Sequence, residues 1–133
     1  MKVSLDWLKQ YVDTDSSASE LADMLTMAGL EVEAVIDPYQ HLASVVVGRI
    51  AGTHPHPDAD KLLCCDVEIG SKTVQVVCGA PNAEAGMLAP CAMPGTLLPS
   101  GMRVEKSEIR GQISEGMLCS AAELSLGDDA SGL

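Results

Sequence analysis

The stretch HPHPDADKL, from His54 to Leu62, lies between two apolar runs of the chain. The first run covers residues 45–50, and the second begins at Leu62. Pro55 and Pro57 each lack a backbone N–H and have a fixed φ, so neither fits inside a central strand. The pattern therefore predicts that the two runs are strands and that this stretch leaves the sheet as a loop between them.

Four side chains of this loop are of types that bind metal ions: His54, His56, Asp58 and Asp60. A structural zinc site would also need paired Cys or His residues at fixed spacing, and no such pair completes the set. The loop is more simply explained as a proline-fixed connection whose aspartates bond nearby backbone N–H groups. We therefore predict that the chain binds no metal.

Short apolar runs and turns alternate between residues 44 and 120. Gly70 and Ser71 predict a two-residue hairpin turn between a strand over 62–69 and a strand over 72–78. Further strands are predicted over residues 44–53 and 88–93, and the segments 102–109 and 116–119 supply the remainder of the β unit. Because closure into a Greek-key barrel removes exposed strand edges, we expect a closed five-stranded β-barrel here.

The N-terminal part of the chain has the pattern of two helices and a strand. The first helix is predicted over 5–12, and the second begins at the capping box Ser17–Glu20 and ends at Gly29. Alternating apolar residues then predict a strand over 30–36. The overall class is therefore α+β. Since this unit is too small to bury both helix faces by itself, we expect it to pack on something beyond this segment.

Composition restricts the class of protein further. Of the 133 residues, 47% are hydrophobic, yet there is no Phe, one Trp and two Tyr, so the core must be built from aliphatic residues and Met. The five cysteines are odd in number and contain no CxxC spacing, which favours reduced, buried thiols over a disulfide framework. No signal-peptide pattern is present, and no apolar run reaches the roughly 18 residues of a membrane span. These features predict a soluble, intracellular protein.

The charge balance is unfavourable for nucleic-acid binding. The formal net charge is -11, with two cations against eight acids in residues 1–39 and six cations against eleven acids in residues 40–133. Affinity for nucleic acid comes largely from neutralised phosphates. Tyr39 is also the last aromatic residue, so stacking of bases on rings is nearly excluded beyond it. Any RNA-binding surface must therefore be a local patch.

Four motifs nevertheless occur in an informative order: HPHPDADKL, VVCGAPN ending at Asn82, the Ile109–Gly111 tripeptide, and SEGMLCS over 114–120. Together they resemble the tRNA-binding OB-fold family that is attached to several aminoacyl-tRNA synthetases. Residues 1–35, with LDWLKQYV and LTMAGLEVE, are similar to the beginning of the β subunits of bacterial phenylalanyl-tRNA synthetases.

The resemblance covers essentially all 133 residues and implies an N-terminal piece of a much longer subunit. It implies two domains. Residues 1–39 would form an incomplete helical and strand unit that packs on later parts of the subunit. Residues 40–133 would form the tRNA-binding OB-fold domain, with its C-terminal end truncated.

The resemblance also implies an activity for the parent protein. That protein would be a phenylalanine–tRNA ligase of two α and two β chains, dependent on ATP and Mg²⁺ and located in the cytoplasm. Its partners would be phenylalanine-specific tRNA and the α subunit, with no membrane and no DNA. We find no catalytic constellation in this chain, since no sequence feature pairs a Cys with a His as nucleophile and base. Its own role would be auxiliary, in tRNA contact or in assembly.

The candidate RNA-binding residues are few. Phosphate contact would fall to the cations Lys61, Arg103, Lys106 and Arg110, with Arg49 and Lys72 completing the inventory of residues 40–133. Base stacking would fall to His54, His56 or the plane of an arginine, and His54 is the candidate among the histidines. The resemblance places Asn82 in a loop near the RNA-facing side, although its amide is more simply explained as holding the turn itself.

Other interpretations remain open. Glu105 and Glu108 interleave the cations of residues 103–110, so this segment can also be a solvated strand of mixed charge. Two further functions are a free-standing tRNA-binding protein or synthetase cofactor, and an assembly module that has kept the fold but lost RNA affinity. A metal-dependent hydrolase is a more remote third.

Overall fold

The computed structural model describes residues 1–133, and its Cα positions divide into two compact units. The first unit is Met1–Pro38 and the second is Tyr39–Leu133. Neither unit contains a helix with the length and apolar character needed to cross a bilayer.

The first unit begins with a helix that is shorter than its sequence pattern predicted. Helix α1 covers Leu5–Leu8 and is capped by Ser4, whose hydroxyl accepts a hydrogen bond from the Trp7 N–H over 3.4 Å. Beyond Leu8 the chain continues in tighter turns, because the Tyr11 N–H bonds to the Leu8 carbonyl three residues back, over 2.9 Å. The segment predicted as a helix over 5–12 thus contains a short α-helix, Leu5–Leu8, and then non-helical hydrogen-bonded turns.

Helix α2, Ala18–Met27, begins and ends as its sequence predicted. The Ser17 hydroxyl accepts from the Glu20 N–H over 3.3 Å, and the Glu20 carboxylate accepts from the Ser17 N–H over 2.9 Å. These two bonds are the reciprocal capping box. At the other end Gly29 has φ +93°, and the Leu30 N–H bonds back to the Leu25 carbonyl over 2.8 Å. This is the six-to-one bond of a Schellman motif.

The alternating segment 30–36 does not form the strand that its pattern predicted. A strand is stabilised by the ladder that it shares with a neighbour, and the first unit contains no other strand. The Val32 N–H bonds instead to the Thr26 hydroxyl over 3.2 Å. The alternation of apolar residues was therefore not sufficient to form a strand here, because this unit offers no partner strand.

The second unit is built from seven short strands that follow a 3₁₀ turn at Gln40–Leu42. The strands are β1 Val45–Pro55, β2 Leu63–Ile69, β3 Lys72–Cys78, β4 Leu88–Ala92, β5 Ser107–Ile109, β6 Gln112–Ser114 and β7 Met117–Leu118. Five of them form one antiparallel sheet in the order β3-β2-β1-β4-β7, while β5 and β6 pair as a separate hairpin.

The main sheet is curled, and the chain between β6 and β7 bridges back to its far edge. The Glu115 N–H donates to the Gln75 carbonyl of β3 over 2.8 Å, and the Ser114 hydroxyl accepts from the Val77 N–H over 3.0 Å. The segment that leads into β7, one end strand of the sheet, is thereby hydrogen-bonded to β3, the other end strand. The arrangement confirms the predicted OB-like fold with five strands.

Aliphatic residues and thiols fill the inside of the curled sheet. The fully buried side chains here are Ile50, Cys65, Val67, Val76 and Cys91. All five cysteines of the chain are free and buried, as their number and spacing predicted. The β2–β3 hairpin also follows the prediction, with Ile69 opposite Lys72 and Gly70 at φ +65° in the two-residue turn.

Strand β1 extends further than predicted and includes the first proline of the connecting stretch. Pro55 lies opposite Leu63 at the end of the β1–β2 ladder. Strand β4 pairs with β1 only from Val45 to Arg49, so the other side of β1 has no ladder at Pro55. A residue without an N–H is tolerated at such an edge. The loop itself is therefore residues 56–62, and the prediction that both prolines leave the sheet was wrong for Pro55.

The predicted strand over 102–109 is divided, and the strand after it was not predicted. Arg103 forms only an isolated bridge with Leu97, and regular pairing begins at Ser107. The chain then reverses at Arg110 and Gly111, with φ +47° and +84°. Positive φ at both central residues is what a two-residue hairpin turn of type I′ requires.

Candidate nucleic-acid interface

The 56–62 loop is held in place by the imidazole of His56. This side chain is buried, with 4% of its surface exposed. Its Nδ1 accepts a hydrogen bond from the Asp58 N–H over 3.0 Å, and its Nε2 lies 2.9 Å from the Ile109 carbonyl oxygen. Because Nδ1 accepts, Nε2 carries the ring proton and donates. The loop is thus joined to the end of strand β5.

Arg110 makes a second link between the same two segments. Its guanidinium Nη1 donates to the Asp58 carbonyl oxygen over 3.0 Å. The residue is exposed and its backbone is left-handed. The β5–β6 turn therefore carries an arginine that lies against the 56–62 loop.

The structure brings Arg110 to the loop that also carries Lys61. Lys61 is exposed and takes part in neither of the two ion pairs of the chain. His54 is exposed on β1 opposite Cys64, two residues before His56. Three of the six predicted residues thus belong to one region, defined by the end of β1, the 56–62 loop and the β5–β6 turn. We call this region the loop-turn site.

Arg103 does not join the loop-turn site through any hydrogen bond. Its Nη1 donates to the Gly95 carbonyl over 3.3 Å, and its backbone bridges to Leu97. It therefore belongs to the hairpin-like segment between β4 and β5.

Lys106 is neutralised by a neighbouring carboxylate. Its Nζ lies 2.8 Å from Glu115 Oε1, and this hydrogen bond, followed by the charge of Lys106, lowers the pKa of Glu115. Arg49 likewise pairs with Glu68 over 2.6 Å. Two of the six cations of the second unit are therefore already engaged with acids.

Asn82 uses its amide on the backbone of residue 133. Its Oδ1 accepts from the Leu133 N–H over 2.9 Å, and its Nδ2 donates to the Leu133 oxygen over 3.2 Å. The side-chain amide thus pairs with the backbone of Leu133 through two hydrogen bonds, as a peptide group does in a β ladder. Neither of these two bonds holds its own turn.

The geometry offers little for ring stacking or metal binding. No Phe, Tyr or Trp follows Tyr39. No three side chains among the His, Cys, Asp and Glu residues are grouped so that they could hold a metal ion. His56 uses both ring nitrogens on protein partners. Besides the exposed carboxylates of Asp58 and Asp60, the chemistry available at the loop-turn site is therefore that of an arginine and a lysine, which contact phosphates.

Two features of this region were missed in the sequence. One is the structural role of His56, for which no local signal exists, because its partner Ile109 is 53 residues away. The other is strand β6, for which a signal was present. Gly111 follows Arg110 between two short alternating segments, which is a hairpin-turn pattern.

Comparison with known proteins agrees with the motifs. Residues 45–133 match the protein family described as "Putative tRNA binding domain". The whole chain aligns with proteins named phenylalanine–tRNA ligase beta subunit. Identity is 50% for Syntrophus aciditrophicus, 49% for Paramagnetospirillum magneticum and 45% for Oleidesulfovibrio alaskensis. The chain spans only 16% to 17% of the length of these relatives.

A solved structure, the C-terminal domain of Plasmodium vivax p43, aligns with 56% of this chain and 43% of its own. The TM-score is 0.45 and the identity 21%, so no conclusion about the fold rests on this likeness. The family match covers 89 of the 133 residues and includes the 56–62 loop, the β5–β6 turn and Asn82. On that match, the chain belongs to the tRNA-binding-domain family that the motifs resembled.

Proposed function

We propose that this chain is an auxiliary tRNA-binding segment of a phenylalanine–tRNA ligase β subunit, and that its loop-turn site makes the contact. The observation that carries the proposal is the placement of Arg110. In a member of a tRNA-binding family, an exposed arginine lies against the loop that carries the unpaired cation Lys61. His54 stands at the edge of the same site.

The backbone of Arg110 supports a role for its side chain. A left-handed conformation is disfavoured for residues other than Gly, Asn and Asp, at a cost of about 1–2 kcal/mol. The first position of a type I′ turn therefore favours Asn, Asp or Gly. Arg110 stands there at φ +47°. An arginine at this position is better explained by what its guanidinium does than by the needs of the turn.

Binding by this site is expected to be weak. Each phosphate neutralised by Lys or Arg contributes through counterion release, and few cations are at hand. Lys106 and Arg49 are engaged with acids, and no ring is present for stacking beyond Tyr39. We expect dissociation constants in or above the range of about 10⁻⁶ to 10⁻⁴ M that is typical of non-specific association.

The proposal places the chain in a larger enzyme. Residues 1–39 pack on later parts of the β subunit, and residues 40–133 form the OB-fold domain. The whole ligase, of two α and two β chains in the cytoplasm, attaches phenylalanine to its tRNA with ATP and Mg²⁺. The residues described here do not form a site suited to Mg²⁺, because no three His, Cys, Asp or Glu side chains are grouped for a metal. Those cofactors would belong to other parts of the enzyme.

A second candidate function is assembly without RNA contact. The ion pairs of Lys106 with Glu115 and of Arg49 with Glu68 favour it, as does the net charge of -11. In that case the OB-fold unit would serve only to position the subunit within the ligase.

A tRNA titration by fluorescence anisotropy separates the two functions. For two to three neutralised phosphates, affinity should fall about ten- to forty-fold between 50 and 200 mM salt. Replacing Lys61 by Ala and Arg110 by Gly together should abolish the binding, because both cations of the loop-turn site are then lost. Arg110→Gly alone should weaken it several-fold, because the turn accepts Gly while the charge is lost.

Arg49→Ala is the matched control, since it also removes one positive charge but from an arginine that is already paired with Glu68. It should bind tRNA about as the unmodified chain does. If Arg110→Gly and the double variant both bind like the unmodified chain, the loop-turn site is not the RNA surface. Nanomolar affinity at physiological salt would contradict the expected weakness.

A further inference from the structure

Residues 129–133 form a short strap on the second unit. The Ala122 N–H donates to the Asp129 carbonyl oxygen over 3.1 Å, which fixes the start of the strap. The Asp129 carboxylate then accepts hydrogen bonds from the Ser131 N–H over 2.9 Å and from the Ser131 hydroxyl over 2.6 Å. An aspartate that bonds the backbone two residues further on makes an Asx turn. The strap therefore has a defined bend before its last two residues.

The loop between β3 and β4 receives the strap through the side chain of Asn82. Its Oδ1 accepts from the Leu133 N–H over 2.9 Å, and its Nδ2 donates to the Leu133 oxygen over 3.2 Å. In an antiparallel ladder, a residue exchanges both of its bonds with the residue opposite in the same way. Both partners of the amide are backbone groups. Asn82 therefore recognises the extended main chain of the strap and not a particular side chain.

Gly132 allows the strap to approach Asn82. A Cβ at this position would lie 2.7 Å from Asn82 Nδ2 and closer still to its Oδ1 and Cγ. Glycine is the residue that permits such a close approach of the backbone. The backbone of Gly132 does not lie in the left-handed region, so its conformation does not itself require Gly. The absence of a side chain therefore serves the contact with Asn82.

Leu133 adds an apolar contact to these polar ones. Its side chain is half-buried and packs against the buried cluster inside the curled sheet. Ala83, the residue after Asn82, belongs to that cluster. Removing apolar surface from water is favourable in proportion to the area covered. The strap is thus held by an amide that bonds its main chain and by an apolar surface that takes its leucine.

We propose that Asn82 is the latch of this strap, and that it forms a binding site for an extended peptide segment in which glycine precedes an aliphatic residue. In this chain the segment is Gly132–Leu133. The strap opens without unfolding of the sheet, because its side-chain hydrogen bonds are exposed to solvent and none belongs to a strand ladder. The amide of Asn82 therefore acts on the chain's own backbone and not on RNA.

Amide hydrogen exchange of the ¹⁵N-labelled 133-residue chain, followed by NMR, tests the latch. The rate for the Leu133 N–H is divided by the rate for the same amide in the chain unfolded in urea. We expect exchange to be about five-fold or more slower in the folded chain, because this N–H is bonded while the strap is closed. Amides of the β2–β3 ladder should exchange more slowly still, since the sheet stays closed when the strap opens.

Two variants remove the latch in different ways. Asn82→Ala deletes the amide, and Gly132→Ala places a Cβ where the amide now lies. Both should bring the exchange of the Leu133 N–H to within about two-fold of the rate in the same variant unfolded in urea. Both should leave the ladder amides unchanged, which also checks that the variants fold.

The matched controls are Glu84→Ala in the same loop and Gly127→Ala ahead of the strap. Glu84 is exposed, and a Cβ at Gly127 would have its nearest neighbour at 3.9 Å. Both controls should keep the protection of the Leu133 N–H.

The unmodified chain and Asn82→Ala decide the main point. The latch is overturned if the Leu133 N–H of the unmodified chain exchanges at the unfolded rate, or if Asn82→Ala leaves its protection intact. If the ladder amides accelerate together with Leu133, the strap does not open by itself.

A tRNA titration separates the latch from a direct RNA contact. Asn82→Ala should bind tRNA as the unmodified chain does, in contrast to Arg110→Gly. Weaker tRNA binding by Asn82→Ala with unchanged protection of Leu133 would assign the amide to RNA instead. A chain that binds no tRNA leaves the exchange result standing, so the latch and the proposed tRNA contact fail separately.

Discussion

The imidazole of His56 donates a hydrogen bond from Nε2 to the backbone carbonyl oxygen of Ile109 over 2.9 Å. This contact joins the loop between β1 and β2 to the hairpin of β5 and β6, segments that are 53 residues apart in sequence. Arg110, the next residue after Ile109, then reaches the Asp58 carbonyl of the same loop. The position of the proposed tRNA contact therefore depends on a buried histidine that does not itself face solvent.

Replacing His56 by Ala should lower the free energy of unfolding by about 1–3 kcal/mol, because buried partners lose their hydrogen bonds. The Ile109 carbonyl and the Asp58 N–H would be left without the ring nitrogens that they now contact. Urea denaturation followed by circular dichroism measures the change. His54→Ala, at an exposed position two residues earlier, should stay within about 0.5 kcal/mol. Equal losses for the two variants would show that the His56 link contributes nothing.

Gly48→Ala should destabilise the second unit by about 1–3 kcal/mol through overpacking. A Cβ at this position would lie within 2.5 Å of Val67 Cγ1, in the centre of the sheet. The measurement is the midpoint of thermal or urea unfolding. Gly52→Ala on the same strand is the matched control, since its nearest neighbour would be Asp66 Oδ2 at 3.9 Å. A Gly48→Ala variant as stable as the Gly52→Ala variant would contradict the close packing.

The pKa of the Glu115 carboxyl should be lower than usual and should rise in the Lys106→Ala variant. The hydrogen bond and charge of Lys106 are the main causes of the lowering, and the charge of Lys72 adds a smaller effect. Stability due to this pair is present above the ordinary pKa of a glutamate and is lost as pH falls through the lowered pKa. An NMR titration of the carboxyl carbon measures both values. Lys72→Ala should produce the smaller rise, and the reverse order would be incompatible with the ion pair.

Ser17→Ala should weaken helix α2 by about 1 kcal/mol, because the Glu20 N–H loses its capping acceptor. Amide hydrogen exchange of residues 21–27 is the suitable measurement, since it reports on this helix directly. Exchange should accelerate about five-fold, which corresponds to that free energy. Ser19→Ala, inside the same helix and also exposed, should not accelerate exchange, because Ala has the higher helix propensity.

The local elements of this protein could be predicted from the sequence. The capping box at Ser17, the left-handed stop at Gly29 and the β2–β3 hairpin with Gly70 were all confirmed. Each depends on residues within a few positions of one another. Turn and cap chemistry of this kind acts through short-range hydrogen bonds and backbone preferences. The order of four motifs also indicated the family and its OB-like fold.

Only the tertiary structure decided which strands found partners and which cations came together. The segment 30–36 alternates as a strand but has no ladder, and Pro55 remains in β1 because β4 has already separated from that edge. Arg110 and the 56–62 loop meet through hydrogen bonds between residues more than 50 positions apart. The amino-acid sequence shows which side chains are available. It does not show which distant segments the curled sheet places side by side. In this chain that placement defines the loop-turn site.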